Sequence, residues 1–594
     1  MAATRPMAIE SALVLGAVAG LTLGACQGPL EAPIAAAHPD DETVRRGGTL
    51  RLATIGDPTS LDPATTSDNF TAGLIHLLYA GLVEFDAEGK VVPDLAAKIE
   101  MADEGRTYRF TLREGVHFHD GSELTAAEVK RSIERALHPS TPCPYAGFFD
   151  EIAGYADFTA KKTPHLEGIV VLGRSLLEIR LRERDASFPQ LLALPSLRIT
   201  CPSAGERYSP TWTACGSGPF KLPPGGWNRG NKTLSLVRHE GYFRPGIPYL
   251  DGVTWELGST QIGEGFKFSR GDLDLTTDLT QPDTVRYQSD PRWQPFGAYG
   301  PSSQWVQGDA MNTEVPPFDN VEVRRAVAAA IDRDHIVLLK PTNLAIQAKP
   351  VPPLPGYDPH DPPEQIGEPW RAASIAQTHD LNAALEHMKK AGFAFDPATG
   401  RGGWPLPVPY DTTRSLSEYT AQSIQQDLAK IGIRLELRIT SVATWQALTH
   451  RRGKSAMSPQ GWHADFPDPS NFLESRFATK SIGDEDGLNY AFYSNAQVDS
   501  LLERAKHEPE GPERTRLYAE VERTLCDEAP WAFEYAVRFF QVRQPYVRGQ
   551  ASHAVWTTDA LPLWLDRSRD GQAQARRDAP LSERLLGRLL QAAR

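Results

Sequence analysis

Apolar and polar residues alternate through 47–53 (Gly-Gly-Thr-Leu-Arg-Leu-Ala), which predicts a half-buried strand, and 108–113, 177–181 and 233–238 repeat the same two-residue period. Residues 216–221 (Gly-Ser-Gly-Pro-Phe-Lys) read as a turn into a further strand. Helical spacing replaces the alternation at 71–79 and again from Leu124, where Thr125 and Glu128 stand at the spacing of a capping box. From about residue 310 helices become more frequent: 321–331 with a continuation to 339, 381–391, 418–431 leading into a strand at 433–439, 498–505 and 513–526. Interleaved helices and strands of this kind predict an α/β fold.

The two ends break the pattern. Arg5 precedes an apolar stretch, 12–23, that is too short to span a bilayer and reads as an export signal. It ends in Leu23-Gly24-Ala25-Cys26, which resembles a bacterial lipobox, so Cys26 is expected to carry lipid after removal of the leader. Residues 27–45, rich in Pro, Ala and charge, read as a flexible tether. The folded part is expected to end near Trp564-Leu565-Asp566, with a tail at 571–594. In that tail Leu581, Leu585, Leu586 and Leu589 share a helical face beside Arg584 and Arg588; a docked or frayed end is the first reading and a membrane-surface helix the second.

Composition narrows the function classes. At 594 residues the chain is too long for one core, and 40% hydrophobic with 23% charged residues is the make-up of a globular protein. A net charge of −13 supplies no basic surplus for phosphates and argues against a nucleic-acid partner. Cys201 and Cys215 bracket a polar, Pro-containing loop and are expected to pair, a closure contributing roughly 3 kcal/mol in the chain-entropy account. Cys143 and Cys526 are expected to be free or buried. No cysteine spacing fits a zinc site, and the His117-Phe118-His119-Asp120 run lacks further ligands, so neither a metal nor a cofactor is implied. The nucleophile elbow, the zinc-protease helix and a Cys–His signature are all missing, which argues against an exported hydrolase.

Residues 461–473 (Gly-Trp-His-Ala-Asp-Phe-Pro-Asp-Pro-Ser-Asn-Phe-Leu) carry the most specific chemistry. Trp462 and Asp465 stand three residues apart ahead of Pro467 and Pro469, an aromatic wall beside an anion that suits a ligand with a cationic end. Asp468 reads as the turn residue.

These residues resemble the ligand-contacting segment of the bacterial extracellular solute-binding proteins, family 5, which include the oligopeptide- and dipeptide-binding proteins of ABC transporters. The likeness extends, in order, through Arg46-Gly47-Gly48-Thr49-Leu50, Ser60-Leu61-Asp62-Pro63, Tyr79-Ala80-Gly81-Leu82-Val83, residues 111–121, Gly218-Pro219-Phe220-Lys221, residues 316–320, Ala329-Ala330-Ile331-Asp332 and Tyr493-Ser494-Asn495, covering about 46–566. The resemblance implies a two-lobed, periplasmic binding protein-like α/β fold with an extra subdomain inserted in lobe I and two crossover strands as hinge. Lobe I would be 46–70, 200–303 and 535–570, the inserted subdomain 71–199, lobe II 304–534, and the crossings near 303–312 and 534–542.

The same resemblance implies a binding function without catalysis. The chain would be a monomeric, lipid-anchored receptor outside the cytoplasm, passing a peptide to an ABC transporter permease in the cytoplasmic membrane. Asp465 would pair with the peptide α-ammonium, Trp462 would flank the ligand, and the backbone of Trp462, His463 and Ala464 would bond an extended peptide like an added strand. Ser67, Asp68 and Asn69 would face the cleft from lobe I, and Arg414 would meet the ligand carboxylate. A nickel chelate, an oligosaccharide or an opine in the same fold is the alternative, and each would leave Asp465 without a role unless it carried a cation.

Overall fold

The structure is a computed structural model that describes residues 45–66, 68–209, 212–300, 305–339, 344–354, 357, 376–485, 487–537, 539–549 and 552–566. The leader with Cys26, the tether to residue 44, Ser67 and the tail 571–594 lie outside the described residues, as do the side chains of 344–346, 414–418 and 557.

Three sheets organise the chain. In the first, strand Thr49–Ala53 runs parallel to Gly252–Glu256, which pairs antiparallel with Thr233–Arg238 and through it with Phe220–Lys221. The alternation read at 49–53 is the burial pattern observed: Leu50 and Leu52 enter a core with Leu234, Leu236 and Trp255. This core is completed by the far end of the chain, since Tyr546, Leu563 and Leu565 belong to it. Arg51 is tied in the same way, reaching both Asp274 and the Tyr546 hydroxyl.

A parallel pair needs a crossover. Here the crossover between Thr49–Ala53 and Gly252–Glu256 contains the second sheet, the antiparallel strands Ala96–Ala102, Thr107–Leu112, Leu176–Arg180 and Ile169–Val171. The helix Ala126–Leu137 packs Val129 and Ile133 into its core with Phe110, Phe149 and Ile179. Thr125 occupies the N-cap position of this helix, but its hydroxyl makes no cap bond. Glu128 is turned to Arg131 instead (2.6 Å), so the capping box expected there does not form.

The turn at 216–221 reveals why it is glycine-rich. A Cβ on Gly216 or Gly218 would run into the backbone at the end of helix Asn69–Leu78. Disulfide Cys201–Cys215, with its Cα atoms 5.5 Å apart, closes the loop just before this approach.

The third sheet has six strands in the order Leu344–Ile346, Trp531–Val537, Trp305–Met311, Met457–His463, Val408–Thr413 and Leu435–Thr440. Helix Arg414–Ala429 is the crossover between the last two, which are parallel. Both faces are covered, and strand Trp531–Val537 shows it: Trp531 and Phe533 enter one core with Phe472 and Leu517, while Ala532 and Tyr535 enter the other with Ile424 and Leu428. The helix predicted over 321–339 is two helices, Val321–Ala330 and Arg333–Leu339. Asp427 takes the Asp332 amide (3.0 Å), and the buried Arg333 guanidinium satisfies the carbonyls of Ala328 and Ile331 where the first helix stops.

Two neighbouring antiparallel passes join these bodies. Gly297–Tyr299 pairs with Phe540–Val542, and the same two segments continue as Trp305–Met311 beside Trp531–Val537 in the third sheet. The α/β content and the two bodies linked by paired strands are the fold expected from the sequence. Among the described residues no helix is long and apolar enough to cross a membrane.

Candidate functional site

Strand Met457–His463 lies in the middle of the third sheet and delivers the segment singled out above. It pairs along its whole length with Trp305–Met311, but with Val408–Thr413 only at Met457. Among the described strands, none pairs with residues 458–463 on that second side.

After the strand the chain turns sharply into helix Pro469–Phe477, with Pro469 at its first position. Asp468 is more than a turn residue. It caps this helix through the Ser470 amide (2.9 Å) and takes a bidentate bond from Arg514 at 2.8 and 2.9 Å, both side chains being buried. The Asp468 carboxyl is pushed up by burial and pulled down further by Arg514, so it stays below the ordinary range.

With its end so fixed, the turn presents Asp465. Asn471 Oδ1 accepts from the Trp462 Nε1–H (2.9 Å) and from the Asp465 amide (3.1 Å), tying the indole and the acid to one helix. Arg476, on the same helix, lies 3.8 Å from the Trp462 ring centroid and 4.7 Å from that of Tyr490, which in turn stacks on His450. Trp462 is thus held from behind by a buried cation.

Tyr145, from the loop after helix Ala126–Leu137, meets Asp465 from the second-sheet body. Its hydroxyl donates to Asp465 Oδ1 at 2.9 Å. Between these elements is a small cavity of about 10 Å³, room for roughly one water. Asp465 and Ala464 line it from the third sheet, Tyr145 and Pro195 from the second-sheet body, Asp68 and Asn69 from the start of helix Asn69–Leu78, and Val555 with Trp556 from the C-terminal return. Asp68 is positioned by capping that helix through the Thr71 amide (2.8 Å). Burial pushes the Asp465 carboxyl up to about 6, against the Tyr145 hydrogen bond, Asn471 and the field of Arg476, which pull it down.

The residues singled out from the sequence therefore divide. Asp465, Ala464, Asp68 and Asn69 come together on the cavity, whereas Trp462 and His463 do not line it. His463 bonds its neighbour's carbonyl (3.0 Å) and packs against Trp305 and Phe539, and burial lowers it to about 4, leaving it neutral near pH 7. Arg414 opens its helix. His117 and His119 do not converge: the first bonds Gly115 O, the second Gly218 O beside His239. The one group of metal-ligating type among the described residues, Asp120 with Cys201 and Cys215, has both sulfurs in the disulfide. Sequence patterns do not reveal Tyr145 and Trp556, because what places them is contact across the fold; Asn471 stands within the segment singled out, but no spacing marks it as the acceptor that ties Trp462 to Asp465.

The bodies also meet beyond the cavity. Phe148 packs edge-on against Phe466 with centroids 6.0 Å apart, Lys506 reaches Glu151 (3.1 Å) and Asp150 (3.6 Å), and the Ala186 amide donates to the Lys506 carbonyl (2.9 Å).

Comparison with known proteins agrees with this architecture. The family described as bacterial extracellular solute-binding proteins, family 5 Middle, matches residues 90–484. The glutathione-binding protein GsiB of Salmonella typhi is 28% identical over 482 residues, covering 80% of this chain and 86% of that protein. Two solved structures share the fold: DppA of Helicobacter pylori in complex with the peptide STSA (TM-score 0.70, 22% identity, 88% of this chain and 99% of that one) and the clavulanic acid biosynthesis oligopeptide binding protein 2 (TM-score 0.74, 23% identity, 88% and 96%). With the family matched over most of its length and the two-lobed α/β fold in place, the chain belongs to the bacterial extracellular solute-binding proteins, family 5.

Proposed function

We propose that the chain is the solute-binding lipoprotein of an ABC importer and that it takes peptides or peptide-like ligands by their α-ammonium group. The observation carrying this reading is the Asp465 carboxyl, half-buried, facing a cavity between two bodies, with its position set by Asn471 and Tyr145. A carboxylate there is short of water and gains from a cation that brings charge and hydrogen-bond donors together. The relatives' names, a glutathione-binding protein and peptide-binding proteins, support the same ligand class. The unpaired side of strand Met457–His463 supports addition of an extended ligand backbone beside it.

In this reading lobe I comprises 46–70, 200–303 and 535–570 with the subdomain 71–199 inserted, and lobe II comprises 304–534. The paired crossings at 303–312 and 534–542 are the hinge, and closing around a ligand shifts an open–closed equilibrium that the permease reads. Cys26 carries the lipid that holds the monomer at the membrane, outside the cytoplasm. Arg414 meets the ligand's carboxylate end.

Calorimetric titration of the full chain in detergent with trialanine and N-acetyl-trialanine tests the central claim. Free trialanine should bind, while acetylation, or Asp465→Ala, should weaken it on the order of a hundredfold. Equal binding of the two peptides would refute the ammonium pairing. Binding of nickel, sugars or opines in their place would redirect the ligand class, and release of alanine from the mixture would reopen a hydrolase reading.

A further inference from the structure

The cavity that holds Asp465 also borders a group without a partner. Trp556 is 4% exposed, and among the described residues nothing accepts a hydrogen bond from its indole Nε1–H. The indole is held firmly: His76 stacks on it with centroids 5.4 Å apart and planes 22° apart, and His553 stacks at 6.0 Å and 26°. His76 lies within 3.6 Å of Asp559, and His553 accepts the Val555 and Trp556 amides, so the stack is anchored to backbone and carboxylate alike. An indole N–H lies in the plane of its ring, so imidazoles stacked on the faces are not placed to accept it. Trp556 is one of the residues that line the cavity. A buried donor left unmade is costly, and an acceptor entering from the cavity recovers that cost.

We propose that Trp556 is a ligand-binding residue whose indole N–H donates to an oxygen of the ligand while Asp465 holds its ammonium. The proposal rests on the Asp465 reading and sharpens it. One small cavity then presents an anion and a neutral donor, and the ligand head must present a cation and an acceptor within one residue's reach. That is the α-amino-acid head group: an ammonium with a carbonyl oxygen on the adjoining carbon in a peptide, or a carboxylate oxygen there in a residue linked through its side chain. A simple amine satisfies Asp465 and leaves Trp556 unpaired, so the site selects against it. Sites with buried polar groups disfavour analogues that leave them unpaired.

The test uses the full chain, ¹⁵N-labelled at tryptophan, with trialanine and an analogue whose first amide is replaced by a trans-alkene. The analogue keeps the ammonium and lacks the first carbonyl. Trp556→Phe retains the stacked ring and removes the donor. Wild-type protein should prefer trialanine to the alkene by about tenfold, the worth of one net hydrogen bond, and Trp556→Phe should bind both alike. In wild-type protein the Trp556 indole resonance, assigned by its absence from the variant, should move downfield with trialanine and not with the alkene. An unmoved resonance together with unchanged affinity in Trp556→Phe would overturn the proposal. If Asp465→Asn still weakens binding in that case, the ammonium reading stands alone. If Asp465→Asn binds as wild type does, or neither probe binds wild-type protein, both fail together. Should that variant fold poorly, Trp556→Tyr supplies the assignment instead, and the wild-type resonance decides: movement with trialanine supports the proposal and its absence overturns it.

Discussion

At the scale of single residues, the proposed ammonium pairing would make ligand binding by Asp465 depend on pH. Its carboxyl ordinarily titrates at 3.8 and is pushed up to about 6 by burial. Binding an ammonium requires the carboxylate, so affinity for trialanine should fall about tenfold per pH unit once the pH drops below about 6. Stability of the protein should move the opposite way. A carboxyl with a raised folded value favours the fold most below 3.8, and that contribution is lost as the pH rises through about 6. Tyr145→Phe removes one of the bonds that hold the carboxyl down and should move the binding midpoint to higher pH. Calorimetric titrations between pH 4.5 and 8 measure both effects, and a flat profile would count against Asp465 as the ammonium partner.

Elements depend on what pins their ends, and helix Pro469–Phe477 is pinned by a pair that no local pattern announces. Asp468 and Arg514 are separated by 46 positions, yet their buried bidentate bond fixes the turn from which Asp465 projects. Asp468→Ala leaves the Arg514 charge buried without its partner and removes the cap, and should cost about 3–5 kcal/mol in denaturant unfolding. A loss under about 1 kcal/mol would mean that the turn is held by other contacts. Strands such as Thr49–Ala53 and helices such as Leu381–Lys390 are legible in the sequence because burial on one face imposes a local period. Thr125 and Glu128 have the right spacing for a cap, but Arg131 takes the carboxylate. The break at Ile331 depends on Asp427, nearly a hundred positions away. Of the site, Asp465 is legible from its place beside Trp462 and the Pro-rich turn, Asp68 and Asn69 only through resemblance, while Tyr145 and Trp556 reach the cavity from distant segments that carry no repeating pattern.

In the whole molecule, the proposed closed state would be held by contacts outside the Asp465 cavity as well as at it. Lys506 bridges to the largely buried Glu151 and to the half-exposed Asp150, and salt screens mainly the second of these pairs. Lys506→Ala should weaken trialanine binding roughly three- to tenfold through faster release, leaving the pH midpoint set by Asp465 unchanged. High salt should reproduce part of the loss in wild-type protein and have little effect in the variant, and small-angle scattering should show the variant more expanded. An affinity unchanged by the substitution would confine the closing force to the cavity.

The C-terminal return into the first core has a further consequence, for the order in which the chain can mature. The third sheet is built wholly from strands between Trp305 and Val537, so it can pack once that stretch is available. Leu50 and Leu52 have no such independence: their core lacks Tyr546, Leu563 and Leu565 until almost the last described residue has joined. The part of the protein made first is therefore finished last, and a non-local closure of this span is slow to form. A chain cut ahead of Tyr546 would keep its central sheet and leave its first strand exposed, a target for proteases and a hazard for aggregation, so completion of the C-terminus acts as the checkpoint for the fold.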